Sequence, residues 1–184
     1  MRRKYDRRIA LLGGAFDPVH RGHLALARRA ARDLPVAAVR LIPNGAPPHR
    51  AAPRYSWARR VILCSRAAAE LPRVGVGLEE TPERTRRTID TVRCYRRRGL
   101  RVVLVMGADA FAEFHQWRGW RRILRAANIA VARRDGGGTP SAAVRARIRA
   151  VKNPRLLADG AGRVFWWRFC PGDISSTAIR RARG

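Results

Sequence analysis

Cysteine is scarce in this sequence of 184 residues, which has only Cys64, Cys94 and Cys170. The three are far apart and form no C-x-x-C pair, so neither a disulfide framework nor a zinc ribbon is predicted. A chain of this length buries enough apolar surface to fold without such cross-links. We therefore expect residues 1–184 to form one globular domain around a hydrophobic core.

Long apolar runs are also missing. The basic N-terminus is followed by a short apolar stretch at 9–12, which ends at Gly13 and Gly14. Such a stretch is too short for a signal sequence and far too short to span a membrane. The sequence therefore predicts a cytoplasmic protein that does not enter a membrane.

Acidic residues are few: 13 Asp and Glu face 40 Lys and Arg, a formal net charge of +27. An excess of this size predicts attraction to polyanions. Lysine occurs only as Lys4 and Lys152 while arginine and alanine abound, which also fits compositional drift with solvated helix faces. A nucleic-acid-binding protein is the alternative from another functional class. No zinc-finger, RNA-recognition or basic-zipper pattern is present, so we expect non-specific nucleic-acid binding at most.

Apolar segments alternate with amphipathic ones along the chain. The predicted strands are continuously apolar rather than alternating, which is typical of a parallel sheet covered on both faces. We predict strands at 9–12, 36–42, 74–78, 101–106, 128–132 and 164–169, and helices at 22–34, 56–71, between Thr88 and Gly99, at 111–125, at 141–151 and after Ile174. The expected fold is a single-domain α/β protein with a Rossmann-like, doubly wound parallel sheet, which binds ligands beyond the carboxyl ends of its strands.

The first motif that carries chemistry is GGAFDPVHRGH at 13–23. It is neither a P-loop nor G-x-G-x-x-G. His20 and His23 lie three apart at a helix start, beside the free N–H groups of a helix N-terminus, where they could hold a triphosphate. Two alternatives stay open here: helix capping, and metal ligation together with Asp17. Because no third ligand at zinc-like spacing is present, no metal site is predicted.

The second motif is ISSTAIR at 174–180. Hydroxyl groups at a helix N-terminus, with Arg180 one turn further, can bind phosphates through side chains, backbone N–H groups and a guanidinium. An ordinary N-cap has the same residues, so this motif alone is weak.

Together the two motifs resemble the paired signatures of the H-x-G-H nucleotidyltransferase superfamily. Within it, the chain resembles the bacterial nicotinate-nucleotide adenylyltransferases from Leu11 to Arg180. Four intermediate segments follow that family's order: PNGAPPHR at 43–50, like its P-x-x-x-P-P-H-K loop; TIDTV at 88–92; MGADA at 106–110, followed by Trp117; and VARRDG at 131–136, like its R-P-G loop.

The resemblance implies that ATP and nicotinate mononucleotide react to give nicotinate adenine dinucleotide (deamido-NAD) and pyrophosphate, with Mg²⁺ carried on the ATP phosphates. It implies catalytic roles for His20, His23, Ser176 and Arg180. The implied ATP-binding residues are Gly13, Gly14, Phe16, His20, His23, Gly107, Asp109, Ile174, Ser175, Ser176, Thr177 and Arg180. The implied residues for the nicotinate nucleotide are Arg50, Thr88, Asp109, Trp117, Arg118 and Arg134, with Trp117 stacked on the pyridine ring and Asp109 on a ribose.

The sequence departs from the family's pattern at three places. Arg86 and Arg87 replace the Ser-Tyr pair before Thr88, Asp135 replaces the proline of the R-P-G loop, and the sequence ends four residues after Arg180. We expect the last difference to affect stability and oligomerisation rather than the fold, and a homo-oligomer stays open.

Alternatives to these assignments also stay open. The acceptor could be nicotinamide mononucleotide, phosphopantetheine or a sugar-like phosphate, or the chain could be an inactive relative that keeps the nucleotide pocket. Trp117 and Trp120 could form one helical core face. Asp109 could be only a helix cap, and His49 and Arg50 could face solvent.

Overall fold

The protein is built on a parallel sheet of seven strands. The computed structural model describes residues 7–45, 52–83, 87–133 and 138–168. The strands run in the order β3-β2-β1-β4-β5-β7-β6, and every neighbouring pair is parallel. Their bounds are β1 Arg8–Gly14, β2 Ala38–Pro43, β3 Val74–Val76, β4 Arg101–Gly107, β5 Ala127–Arg133, β6 Arg149–Val151 and β7 Arg163–Arg168.

Six α-helices join these strands within the described ranges. They are α1 Arg21–Asp33, α2 Trp57–Ala69, α3 Thr88–Arg97, α4 Ala108–Ala112, α5 Trp120–Ala126 and α6 Ala142–Arg145, with short 3-10 helices at Phe114–Gln116 and Pro154–Ala158. Every helix in the described part of the chain is too short or too polar to cross a lipid bilayer.

Two hydrophobic clusters cover the two faces of the sheet. One packs alternate strand residues such as Leu12 and Val105 against α1 and α2. The other packs the intervening residues, such as Leu11 and Leu104, against α3, α4 and α5. Because both faces are covered, the central strands are apolar at nearly every position. The predicted Rossmann-like, doubly wound parallel sheet is confirmed.

The predicted helix at 141–151 is wrong. Only Ala142–Arg145 is helical, and Arg149–Val151 forms the edge strand β6, which pairs with β7. The apolar residues Val144, Ile148 and Val151 have helical spacing, but hydrogen bonding to β7 outweighs that local preference.

The predicted helix at 111–125 is also not continuous. It divides into α4, a 3-10 turn and α5, because Gly119 adopts a left-handed conformation with φ of 78° directly before α5.

Candidate active site at the switch point of the sheet

The strand order reverses between β1 and β4, and this point positions the candidate site. From β1 the chain moves outward to β2 and β3, whereas β4 lies on the other side of β1 and leads to β5. Leu12 of β1 is in register with Val105 of β4, so the two strands end side by side, at Gly14 and Gly107. In open α/β sheets, ligands bind in the crevice beyond such a point. The structure thus brings two of the predicted nucleotide-binding segments together.

The two histidines of the first motif lie at the start of α1. His20 is the N-cap, and its ring stacks on that of His23 with 3.7 Å between the ring centroids. The backbone N–H of His20 donates to Nδ1 of His23 at 3.3 Å. A neutral ring that accepts at Nδ1 carries its proton at Nε2. This geometry therefore makes Nε2–H the donor of His23, at a helix end that favours anions.

Phe16 packs against the His23 ring and supports this arrangement. Its ring is 1% exposed and meets His23 edge-on, with 4.8 Å between the ring centroids. Its φ of 49° is a left-handed conformation that bulky residues rarely adopt, so the surrounding contacts must hold it there. A Cβ on Gly14 would lie 3.2 Å from the Phe16 ring, which explains the glycine at that position. The buried Phe16 side chain supports His23, and its assignment to ATP stays a prediction.

Asp17 stabilises the loop through its carboxylate. Its carboxylate is buried and accepts the backbone N–H groups of Arg54 at 2.8 Å and Tyr55 at 2.9 Å. Among the residues that the structure describes, no group of three His, Cys, Asp or Glu side chains could hold a metal ion. The alternative of metal ligation by Asp17 with the histidines therefore lacks a ligand set.

A fully buried arginine, Arg60 of α2, was not predicted from the sequence. Arg60 is 1% exposed. Its guanidinium donates to four backbone carbonyls around the loops after β1 and β2. Its acceptors are the carbonyl oxygens of Ala15 at 2.7 Å, Asn44 at 2.9 Å, Tyr55 at 3.2 Å and Gly45 at 3.3 Å. Burial lowers the pKa of Arg60, and the nearby charge of Asp17 opposes that shift. The only signal in the sequence is that Arg60 shares a helical face with Cys64 and Ala68.

The end of β4 leaves open space where a ligand could approach. Gly107 is the N-cap of α4, and a Cβ placed on it would meet no atom within 4 Å. Asp109 follows two residues later, inside α4 and exposed. Because Gly107 holds the cap position, the alternative that Asp109 only caps this helix is wrong.

The segments that contain the predicted acceptor-binding residues Thr88, Trp117 and Arg118 pack against each other. Thr88 is the first residue of α3, whose N-cap is Arg87. The side chain of Ile89 lies 3.4 Å from where a Cβ of Gly119 would be, so the start of α3 packs beside the segment that contains Trp117 and Arg118.

The two tryptophans of this segment differ in environment. Trp117 ends the 3-10 turn and is half-buried, whereas Trp120 begins α5 and is 7% exposed. They do not share one helical core face, because Gly119 turns the chain between them. Trp120 belongs to the core, and Trp117 keeps part of its ring accessible.

Seven predicted site residues lie outside the described residues, and their assignments stay predictions: Arg50, Arg134, Ile174, Ser175, Ser176, Thr177 and Arg180. A cavity of about 390 Å³ lies beside β7, lined by Arg133, Arg145, Trp166 and their neighbours. None of the described switch-point side chains named above lines it.

Comparison with known proteins decides the family. A family model described as cytidylyltransferase-like matches residues 11–182. The chain belongs to the cytidylyltransferase-like family. Two similar curated proteins are each named probable nicotinate-nucleotide adenylyltransferase. The one from Laribacter hongkongensis is 40% identical, and the match covers 96% of this chain and 84% of the relative. The one from Pseudomonas paraeruginosa is 36% identical, and the match covers 97% of this chain and 86% of the relative. The resemblance to that group is confirmed.

Solved structures show the same fold. A nicotinic acid mononucleotide adenylyltransferase of Plasmodium falciparum, complexed with NaAD, matches with a TM-score of 0.73 at 11% identity and covers 95% of this chain and 83% of its own. A putative nicotinate-nucleotide adenylyltransferase of Vibrio parahaemolyticus matches with a TM-score of 0.57 at 18% identity, covering 69% and 74%. At these identities the likeness supports the cytidylyltransferase-like fold alone.

Proposed function

We propose that this enzyme transfers the adenylyl group of ATP to nicotinate mononucleotide in NAD biosynthesis. The products are nicotinate adenine dinucleotide and pyrophosphate. The observation that carries the proposal is the stacked pair of His20 and His23 at the N-terminus of α1, placed at the switch point of the sheet. The names of the curated relatives support the choice of substrates.

The reaction is a single displacement at the α-phosphorus of ATP. An oxygen of the acceptor's phosphate attacks that phosphorus, a new P–O bond forms, and the bond to the β-phosphate breaks as pyrophosphate leaves. Negative charge grows on the phosphate oxygens during the attack. Nε2–H of His23 and the positive end of α1 meet that charge, and fixed donors of this kind strengthen as it develops. Ser176 and Arg180 complete the set in the proposal.

A divalent ion such as Mg²⁺ enters with the nucleotide in this scheme. Mg²⁺ prefers oxygen ligands and is usually bound by one or two carboxylates together with substrate phosphates. Among the described carboxylates of the site, Asp17 is engaged by two backbone N–H groups, and the exposed Asp109 contacts a ribose in the proposal. The ion would thus be held mainly by phosphate oxygens, where it offsets their charge.

The acceptor side suits a pyridinium ring that carries a carboxylate. Trp117 offers a partly accessible face for stacking on the pyridine cation, and such contacts contribute about 0.5–2 kcal/mol. The positive end of α3 begins at Thr88, beside the exposed Arg87. Both features favour the carboxylate of nicotinate over the neutral amide of nicotinamide. In the proposal, Asp109, Arg118, Arg50 and Arg134 contact the rest of the nucleotide.

Replacing one histidine tests the role of the site directly. In His23→Ala, we expect kcat for pyrophosphate release to fall by about 100-fold to 1000-fold, because one preorganised donor to the developing charge is lost. The bond from His20 N–H is lost too, so stability should fall by about 1 kcal/mol.

A matched control is His115→Ala, since His115 is exposed on the 3-10 turn and bonds only locally to the Ala112 carbonyl. Its kcat should equal that of the wild type. Product formation is followed by mass spectrometry of the dinucleotide. A folded His23→Ala protein with near-wild-type kcat would contradict the proposed chemistry.

A further inference from the structure

A buried pair of opposite charges joins the loop after β1 to the chain that follows β2. Asp17 accepts two backbone N–H groups, from Arg54 and Tyr55, and Arg60 donates to carbonyls on both sides of the same junction. Asp17 and Arg60 also attract each other electrostatically. Each charge therefore holds backbone groups of the other's segment, and we call this pair the brace.

The brace is connected to His23 through Phe16. Arg60 Nη1 holds the carbonyl of Ala15 at 2.7 Å, directly before Phe16. Asp17 is fixed directly after Phe16, so both neighbours of this left-handed residue are held. The Phe16 ring in turn packs edge-on against the His23 imidazole.

Apolar side chains in place of both Arg60 and Asp17 would avoid the cost of desolvating the two charges. Replacing a buried ion pair by apolar residues of similar volume often leaves stability unchanged or raises it. What a guanidinium adds is a planar set of directed N–H donors, here aimed at carbonyls of Ala15, Asn44, Gly45 and Tyr55. The distinctive contribution of Arg60 is therefore geometric.

We infer that Arg60 is a positioning residue for adenylyl transfer, which fixes the turn at 15–17 and thereby the place of His23. A displaced His23 would lose the bond from His20 N–H that sets its tautomer. This inference rests on the proposed function for its kinetic test. A displacement of about 1 Å at a catalytic group can cost about 100-fold in rate. Loss of the brace should thus lower kcat, while the binding of substrates, which depends on many other contacts, changes less.

Arg60→Lys keeps the charge but carries its donors on a single nitrogen, which cannot reach all four carbonyls. We expect kcat to fall by about 10-fold to 100-fold, with KM for ATP and for nicotinate mononucleotide within about threefold of the wild type. The matched control is Arg66→Lys, at an exposed position on the same helix, with unchanged kcat. Circular dichroism and a thermal melt establish that each variant is folded at the assay temperature.

A spectroscopic readout needs no substrate. In ¹⁵N spectra of the histidine rings, assigned by comparison with His23→Ala, the wild type should show His23 with Nδ1 unprotonated and Nε2 protonated. Arg60→Lys should show a mixture of the two tautomers. If that variant does not fold, Asp17→Asn tests the brace from its other side, because the amide has a single acceptor oxygen for the two N–H groups.

The outcomes separate the two proposals. A folded Arg60→Lys protein with kcat within twofold of the wild type and an unchanged His23 spectrum would overturn the inference. A lower melting temperature, with kcat and the His23 spectrum unchanged, would overturn it too, because Arg60 would then act on stability alone. A wild-type protein that gives no turnover with its substrates would count against the proposed function, and the His23 spectra of wild type and variant would still decide the role of Arg60.

Discussion

Gly107 provides a prediction in which activity changes while stability changes little. Its φ of −74° and ψ of 160° are ordinary for alanine, and a Cβ there would meet no protein atom within 4 Å. Gly107→Ala restricts the unfolded chain without straining the folded one, which by itself stabilises a protein by about 0.4–1 kcal/mol. Gly107 is also the N-cap of α4, a position that prefers glycine to alanine, and this loss opposes that gain. The melting temperature should therefore stay within about 2–4 °C of the wild type.

The same methyl group lies at the switch point, where we propose that ATP binds. An added methyl in a tightly filled site costs about 1–3 kcal/mol, so KM for ATP should rise by about fivefold to 150-fold. The matched control is Gly99→Ala, which also meets no atom within 4 Å but has a φ of 77°. It should lose about 1–2 kcal/mol of stability through that left-handed conformation and keep its KM for ATP.

Thermal melts and initial rates of pyrophosphate release at varied ATP measure both effects. If Gly107→Ala kept the wild-type KM for ATP, the nucleotide would not approach this glycine and the placement of the ATP site would be wrong. A loss of stability above about 2 kcal/mol would contradict the backbone conformation at the end of β4.

Further predictions concern the two tryptophans, a crowded glycine and a buried thiol. Trp117→Ala should raise KM for nicotinate mononucleotide by about 2-fold to 30-fold. Trp120→Ala should instead lower the free energy of unfolding by about 3–5 kcal/mol, as denaturant titration would show. Gly77→Ala should cost about 1–3 kcal/mol in the same titration, because its Cβ would lie 2.8 Å from the Tyr95 hydroxyl. Burial raises the pKa of the Cys64 thiol to about 12, so a protein with Cys64 as its sole cysteine should resist a thiol reagent at pH 8 until it unfolds. Because the unfolded thiol releases its proton at lower pH than the folded one, Cys64 should also lower stability as pH rises from about 9 toward 12.

Most of the fold could be predicted because its strands are buried on both faces. Almost continuously apolar segments such as 101–106, which alternate with amphipathic helices, indicate strands of a parallel sheet that is covered on both faces. The edge strand β6 could not be predicted in this way. It has three residues, two of them exposed, and only its pairing with β7 defines it.

The candidate site was predictable where one short segment contains the chemistry. His20 and His23 are three residues apart, so their common location follows from helix geometry alone. Arg60 is different, because its acceptors lie 5 to 45 residues away along the chain. Its neighbour Arg59 is exposed, and only the folded structure shows which of the two is buried.

The acceptor side required the structure for a similar reason. The spacing of Trp117 and Trp120 fits one helical face, and the left-handed turn at Gly119 separates them. The proximity of Thr88 to this segment is set by the packing of α3 on the start of α5, which no local pattern contains.

The most direct test of the proposed function compares two acceptors in one assay. Purified protein receives Mg-ATP with nicotinate mononucleotide, and separately with nicotinamide mononucleotide, and pyrophosphate release gives kcat/KM for each. We predict turnover, with the dinucleotide and pyrophosphate both identified, and a clear preference for the nicotinate acceptor. In the proposed site its carboxylate faces the positive end of α3 beside Arg87. Equal or greater kcat/KM with the nicotinamide acceptor would contradict the proposed acceptor site, and no turnover by the folded protein with either would contradict the proposed function.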